Sequence, residues 1–195
     1  MQIFKKMAAI GLMSLSALTC QADPGVTDSS ITIGMSSPFS GPNGAYGTDM
    51  LQVIEAYFAQ INKGGGIAGR KLDLVAMDDG YETEKTVANA QTLINEKNAF
   101  ALLAFYGSSP TTEAMNKVFG PAKVPLVGTI SGAGTLRDAN NPNTRYMFNV
   151  RASYADETEA IVNQLLSLGI RNIAVFYQND GFGKSGLDGV TNALK

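Results

Sequence analysis

The stretch AFALLAFYGSSPTTEAMNKVFG, residues 99–120, decides the fold. Its first seven residues form an apolar run of the length and composition that a buried strand needs, and a strand is predicted over 99–107. A glycine, two serines and a proline follow at 107–110, and a helical pattern begins at once. A strand that enters a helix through so short a loop is the unit from which parallel α/β sheets are built.

The same alternation continues on both sides of this stretch. Further strands are predicted at 30–39, 71–79 and 124–130, and helices at 50–61, 82–97 and 109–120, with a short helix or turn at 132–140. Residues 145–157 depart from this alternation and are predicted to begin with a strand that crosses from the first unit to a second one. A helix at 156–169, a strand at 171–180 (RNIAVFYQND) and a helix at 183–195 then follow. Strands separated by helices predict an α/β fold with a doubly wound parallel sheet.

The second unit is short, because only one strand follows its first helix and the sequence ends within a helical pattern. A single strand with its flanking helices cannot bury the apolar side chains on both of its faces without further strands beside it. We therefore expect this sequence to be a fragment, or to be followed by a further domain.

The composition excludes several classes of protein. The 195 residues are 45% hydrophobic and 16% charged, with a formal net charge of −2 and no histidine. No cluster of basic residues suggests nucleic acid as a partner. The absence of histidine removes the commonest general base and the commonest metal ligand.

The first 22 residues are predicted to be a cleavable signal peptide. Lysines at positions 5 and 6 precede an apolar run of 12 residues, Met7 to Leu18, which is too short to span a bilayer. Cys20 and Ala22 then supply small residues before a cut at Asp23. Lipidation of Cys20 is the less favoured alternative, because Thr19 is larger than the residue usual before a lipidated cysteine.

Two glycine-rich stretches resemble nucleotide-binding loops but lack the required context. GGGIAG, residues 64–69, follows a helix and precedes a strand, whereas the dinucleotide motif needs the reverse order. QNDGFGKS, residues 178–185, has glutamine at 178 where a phosphate-binding loop needs glycine. We interpret the first as a helix stop with a turn, and we do not expect nucleotide binding at the second.

Polar residues at two strand ends have structural explanations. Asp78 and Asp79 are expected to cap the following helix and to form a turn. Ser108 and Ser109 are expected to cap the helix at 109–120, and with no histidine in the chain neither serine has an activating base. The start of that helix also offers free N–H groups to a carboxylate or phosphate. The loops at 37–46, 106–109 and 129–134 leave strand ends and predict a small polar-rimmed pocket.

Four stretches, in this order and spacing, resemble the type I periplasmic solute-binding proteins of ABC importers, in the leucine/isoleucine/valine-binding branch. They are SPFSGPNGAYG at 37–47, residues 61–94 around GGGIAG, residues 104–137, and FNVRASYADE at 148–157. The resemblance implies a fold of two lobes that close on a ligand in the cleft between them. It implies a first lobe over 23–150, a hinge near Asn149–Ser153, and the beginning of the second lobe over 151–195.

The resemblance also implies where a ligand binds. Ser108 matches a serine that holds the ligand carboxylate, Ile130 a residue that offers its carbonyl, and Phe182 a tyrosine that covers the ligand. Gly132 is a departure, because the valine and leucine binders have a threonine there for the α-amino group; Ser131 is the candidate substitute. The full predicted set is Tyr46, Tyr106, Gly107, Ser108, Ser109, Ile130, Ser131, Gly132, Tyr154 and Phe182, with no catalytic residue, no metal and no cofactor.

The function that the resemblance implies is capture of a small polar solute, an amino acid or an organic acid, in the periplasm. The protein is expected to be a monomer that delivers its ligand to the membrane subunits of an ABC importer. Two alternatives stay open. The same fold serves as the extracellular ligand-binding part of signalling receptors, and a doubly wound fold can carry an enzyme, although this chain lacks histidine and, after cleavage, cysteine.

Overall fold

The computed structural model describes residues 23–195, and the predicted signal peptide and Cys20 lie outside this range. The chain alternates strands and helices as the sequence indicates. The strands are β1 (Ser30–Ser37), β2 (Lys71–Asp78), β3 (Ala101–Leu103), β4 (Leu126–Val127) and β5 (Met147–Phe148). The helices are α1 (Gly44–Lys63), α2 (Thr83–Asn95), α3 (Ser108–Ala114), α4 (Tyr154–Ser167) and α5 (Gly181–Ala193).

All five strands form one parallel sheet in the order β2-β1-β3-β4-β5, which confirms the predicted fold class. The longest pairing joins β1 to β2 over eight residues, from Ser30 beside Lys71 to Ser37 beside Asp78. The chain moves outward from β1 to β2 and then returns to the other side of β1. Ligands of open α/β sheets bind at such a reversal of strand order, beyond the carboxyl ends of the strands.

The strands predicted at 99–107 and 124–130 are shorter in the structure. Ala104 and Gly128, which follow the paired residues Leu103 and Val127, both have left-handed backbones, with φ of 55° and 63°. Because left-handed residues cannot continue a strand, β3 and β4 are interrupted together. Pairing resumes only at one bridge between Tyr106 and Ile130.

The core lies between the sheet and helices α2 and α3. Fully buried members include Leu93, Leu102, Phe105, Phe119 and Leu126. Helix α3 continues as a π-helical turn, Met115–Phe119, before the chain enters β4. The Gly64–Gly69 stretch ends α1 and forms a turn closed by pairing of Ile67 with Arg70, as predicted.

The strand predicted at 171–180 is wrong. Residues 171–178 have no regular secondary structure, and none of the five strands pairs with them. Phe176 is fully exposed. A strand gains its stability from hydrogen bonds and packing with a neighbour, so the apolar pattern alone is insufficient here.

Candidate functional site

A cavity of about 100 Å³ opens beside the point where the strand order reverses, between β1 and β3. It is bounded by the loops that follow β1, β2, β3 and β4, by the start of α4, and by the segment that leads into α5 together with the start of that helix. Among the described residues that line it, none is charged at neutral pH and four are aromatic. The lining residues are Asn43, Tyr81, Tyr106, Gly107, Ser108, Ile130, Tyr154, Gln178 and Phe182.

Ser108 lines this cavity, but contrary to the prediction it is not a helix cap. It is the first residue of α3, and the capping position belongs to Gly107, which has no side chain to offer. The Ser108 side chain is buried, and its hydroxyl lies 2.8 Å from the hydroxyl of Ser131. The Ser131 oxygen also accepts a hydrogen bond from the Ala133 N–H. Ser131 is therefore a support for Ser108, and it does not itself line the cavity.

Gly107 is required by its surroundings. Its φ is +97°, which favours glycine, and a Cβ atom there would lie 2.5 Å from Cε2 of Tyr81. Its N–H donates a long hydrogen bond of 3.4 Å to the carbonyl of Ile130. Since a carbonyl oxygen has two lone pairs, Ile130 retains the capacity to accept from a ligand.

Three tyrosines stand together on one side of the cavity. Tyr81 meets Tyr106 edge to face at 5.6 Å, and Tyr46 stacks on Tyr106 at 6.1 Å. Burial raises the pKa of the Tyr81 and Tyr106 hydroxyls, so both are protonated donors at neutral pH. Tyr46 is 67% exposed and does not line the cavity, so its contact with the site runs through Tyr106.

Tyr154 and Phe182 form the opposite aromatic pair, with ring centroids 5.4 Å apart at 73°. The Tyr154 N–H donates to the carbonyl of Gly132 at 2.8 Å. Arg151 lies over the Tyr154 ring, 5.1 Å from its centroid, and is paired with Glu157 at 2.9 Å. Gly132 itself does not line the cavity, because Tyr154 covers it.

Ser109 points away from the cavity. Its hydroxyl oxygen accepts a hydrogen bond of 3.1 Å from the N–H of Gly181, the first residue of α5. It therefore joins the start of α3 to the start of α5. The predicted set is in this way divided between residues that line the cavity and residues that support it.

Asp79 does not cap α2, contrary to the prediction, although it forms the predicted turn. The capping position of α2 is Glu82, which makes no side-chain capping bond. The buried Asp79 carboxylate accepts from the hydroxyls of Ser36 (2.7 Å) and Thr86 (3.1 Å) and from the N–H of Tyr81 (2.9 Å). This network fixes Tyr81, a cavity residue, in a left-handed backbone with φ of 67°. Burial raises the pKa of Asp79 despite these hydrogen bonds.

Asp78 binds the loop after β1. Its carboxylate accepts from the Phe39 N–H at 2.7 Å, the Ser40 hydroxyl at 2.6 Å and the Gly80 N–H at 2.9 Å. Partial burial acts to raise the pKa of Asp78, but the hydrogen bonds from Ser40, Phe39 and Gly80 outweigh it and lower the pKa. Asp78 thereby holds the loop that leads to Asn43 beside the cavity.

The start of α5 is already occupied by Asp180. Its carboxylate accepts from the N–H groups of Phe182 and Gly183 at 2.9 and 3.0 Å, and from the Gln178 amide at 2.6 Å. Lys184 pairs with Asp188 at 3.3 Å. These contacts use the groups that a phosphate would need, in agreement with the interpretation of this stretch from its sequence.

Three cavity residues were not predicted: Asn43, Tyr81 and Gln178. Asn43 follows β1 and Tyr81 follows β2, so the rule that ligands bind beyond strand ends could have found both. Gln178 carried no such signal, because it follows a segment that forms no strand. Within residues 23–195 there is no group of three or more acidic, histidine or cysteine residues placed to hold a metal ion. The helices of this range include none that is long and apolar enough to cross a membrane.

Comparisons with known proteins agree with this architecture. The sequence profile described as "Periplasmic binding protein" matches residues 30–195. An "Amino acid binding protein" of Pseudomonas aeruginosa is 26% identical over 97% of this chain and 50% of its own length. A possible leucine/isoleucine/valine-binding protein from Rhodopirellula baltica superposes with a TM-score of 0.79 at 31% identity, covering 90% of this chain and 46% of that one.

A substrate-binding periplasmic protein from Ralstonia solanacearum is similar to a comparable degree, with a TM-score of 0.78 and 32% identity over 84% of this chain and 45% of that one. The chain therefore spans about half the length of the relatives it matches.

Proposed function

The chain belongs to the periplasmic binding protein family, whose members are solute-binding proteins and not enzymes, and from that premise we propose that it captures a small polar solute, an amino acid or an organic acid, for an ABC importer. The observation that carries the proposal is the cavity at the reversal of strand order, with Ser108 at its wall. The periplasm is the proposed location, and the importer's membrane subunits are the proposed partners.

The proposed anchor for the ligand is the Ser108 hydroxyl together with the N–H groups at the start of α3. Ser131 supports this role, because its 2.8 Å contact with Ser108 restricts the direction of the hydroxyl. The Ile130 carbonyl and the Tyr106 hydroxyl complete a polar rim. Fixed donors of this kind favour the carboxylate end of a ligand.

We further propose that residues 23–150 form the first lobe and that 151–195 begin the second. The crossing near Asn149–Ser153 would then act as the hinge. Two contacts connect these segments beside the cavity: the Tyr154 N–H to the Gly132 carbonyl, and the Gly181 N–H to Ser109. A ligand that binds better between closed lobes than between open ones would drive closure.

Thermal unfolding of the full-length protein tests the proposal. A ligand at 100 times its Kd stabilises the native state by about 2.7 kcal/mol. We expect at least one small carboxylate from a panel of amino acids and organic acids to raise the Tm. Ser108→Ala should reduce that shift, because the hydroxyl is lost. Ser185→Ala should not, because Ser185 lies in α5 and does not line the cavity. A panel without any stabilising carboxylate contradicts the proposal.

A further inference from the structure

The structure explains why position 132 is glycine, and the reason concerns the ligand. Gly132 does not have a left-handed backbone, so its conformation does not demand glycine. A Cβ atom there would lie 2.7 Å from Cδ1 of Tyr154, 2.8 Å from the Tyr154 nitrogen and 2.9 Å from the Ala152 carbonyl oxygen. Two of these neighbours are backbone atoms that cannot easily move. The threonine expected from the family resemblance therefore does not fit, and the Tyr154 ring lies beside the space it would need.

Tyr154 is held firmly in this place. It is only 8% exposed and begins α4, whose start is fixed by reciprocal hydrogen bonds between Ser153 and Asp156. The backbone bond to Gly132 fixes its main chain, and the edge contact with Phe182 and the Arg151 guanidinium over its face restrict the ring.

The cavity is thus bounded by one edge-to-face aromatic pair from each half of the chain. Tyr81 and Tyr106 come from the strand ends of the sheet, and Tyr154 and Phe182 from the starts of α4 and α5. An aromatic ring in such surroundings gains offset-stacking and edge contacts that a saturated body of equal size cannot make.

The part of the wall that residues 23–195 form provides no anionic partner for an α-ammonium group. A buried ammonium needs a paired acceptor, and the described residues that line the cavity include no carboxylate. Asp180 stands two residues beyond the lining residue Gln178. Its carboxylate is already engaged by two N–H groups of α5 and by the Gln178 amide.

We infer that the ligand is a small aromatic carboxylate, and that the pairing of Gly132 with Tyr154 selects it over aliphatic α-amino acids. This inference rests on the proposed solute-binding function. Ser108 would hold the carboxylate, and the two aromatic pairs would hold the flat ring.

Calorimetric titration of the full-length protein, freed of bound ligand by unfolding and refolding, tests the inference with matched probes. Benzoate and cyclohexanecarboxylate carry the same charge and nearly the same volume, but only benzoate is flat. We expect benzoate to bind roughly tenfold or more tightly than cyclohexanecarboxylate, the worth of one or two aromatic contacts, and more tightly than L-leucine. If L-leucine or cyclohexanecarboxylate binds as tightly as benzoate, the inference is overturned while the solute-binding proposal stands. If no carboxylate binds, both fail.

Two variants test which side chains cause the preference for benzoate over cyclohexanecarboxylate. Tyr154→Leu should lower the affinity for benzoate by roughly tenfold and leave that for cyclohexanecarboxylate nearly unchanged. Phe182→Leu, at a half-exposed position, is the second variant should the first not fold. Tyr57→Leu, on an exposed part of α1, is the matched control and should change neither affinity. Equal losses for both probes in Tyr154→Leu and Phe182→Leu would overturn the role of the aromatic pair.

Discussion

Residues 23–150 and residues 151–195 differ in how far their apolar side chains are buried. In the first segment many such side chains pack between the sheet and its helices, and Phe105, Phe119 and Leu126 are completely buried. The second segment has only one large side chain that is completely buried, Val162, whereas Ile161, Leu168 and Phe176 are exposed. The two segments have similar patterns of apolar residues. The difference shows that such a pattern is buried in regular structure only where another strand or helix packs against it.

The largest expected effect compares two phenylalanines, one from each segment. Phe119 is 0% exposed and Phe176 is 104% exposed relative to its reference value. Phe119→Ala leaves a cavity in the core and should destabilise the protein by about 3–5 kcal/mol, whereas Phe176→Ala should change stability by less than about 0.5 kcal/mol. Urea unfolding of the full-length protein measures both. Similar losses for the two variants would show that Phe176 is buried in solution.

The second prediction compares two glycines with left-handed backbones. A Cβ atom at Gly107 would meet the Tyr81 ring at 2.5 Å, whereas at Gly169 it would meet nothing within 4 Å. Gly169→Ala should therefore cost about 1–2 kcal/mol, the backbone strain alone. Gly107→Ala should cost more, because Tyr81 must also move.

Ligand binding separates the two glycine variants further. Gly107→Ala displaces a cavity residue and should weaken binding, while Gly169→Ala should leave it intact. Equal stability losses, measured by urea unfolding, would mean that the Tyr81 ring moves aside without a cost in stability and does not form a fixed wall of the cavity.

The smallest expected effect is a difference in pH dependence between Asp79 and Asp156. Burial raises the pKa of Asp79, so its folded state binds a proton more tightly than its unfolded state does. Its favourable contribution is complete below the unfolded pKa of 3.8 and is lost as pH rises through the raised folded value. Hydrogen bonds from the Ser153 hydroxyl and N–H lower the pKa of Asp156, so its contribution is present above 3.8 and is lost as pH falls through the folded value.

Unfolding between pH 3 and pH 7 measures this difference. The stability of the wild type relative to Asp79→Asn should rise as the pH falls toward 3.8. The stability of the wild type relative to Asp156→Asn should decrease as the pH falls below 3.8. Curves that move in the same direction for both variants would contradict the assigned environments of the two carboxyl groups.

Much of the fold could be predicted because its signals are local. The apolar run before Gly107 and the helix after it identify β3 and α3, and the repeated alternation identifies a parallel sheet. The errors have non-local causes. The strand predicted at 171–180 lacks a neighbour, and β3 and β4 are shortened by left-handed residues that lie side by side, Ala104 and Gly128.

The candidate site was predicted only in part for the same reason. Ser108, Tyr106 and Phe182 were found from their positions near strand ends and from the family resemblance. Tyr81 was missed although it follows β2, and its contacts with Tyr106 and Gly107 at the cavity join residues that are distant in the sequence.

The sequence by itself determined the alternation of strands and helices, the parallel sheet and the edge at which the cavity lies, because periodicity and strand-to-helix loops are properties of neighbouring residues. Only the tertiary structure decided which polar groups reach the cavity and which support it. Ser108 and Ser109 are adjacent, yet one lines the cavity and the other binds α5. Successive residues of a helix point about 100° apart, so their roles depend on what the rest of the chain places beside each of them.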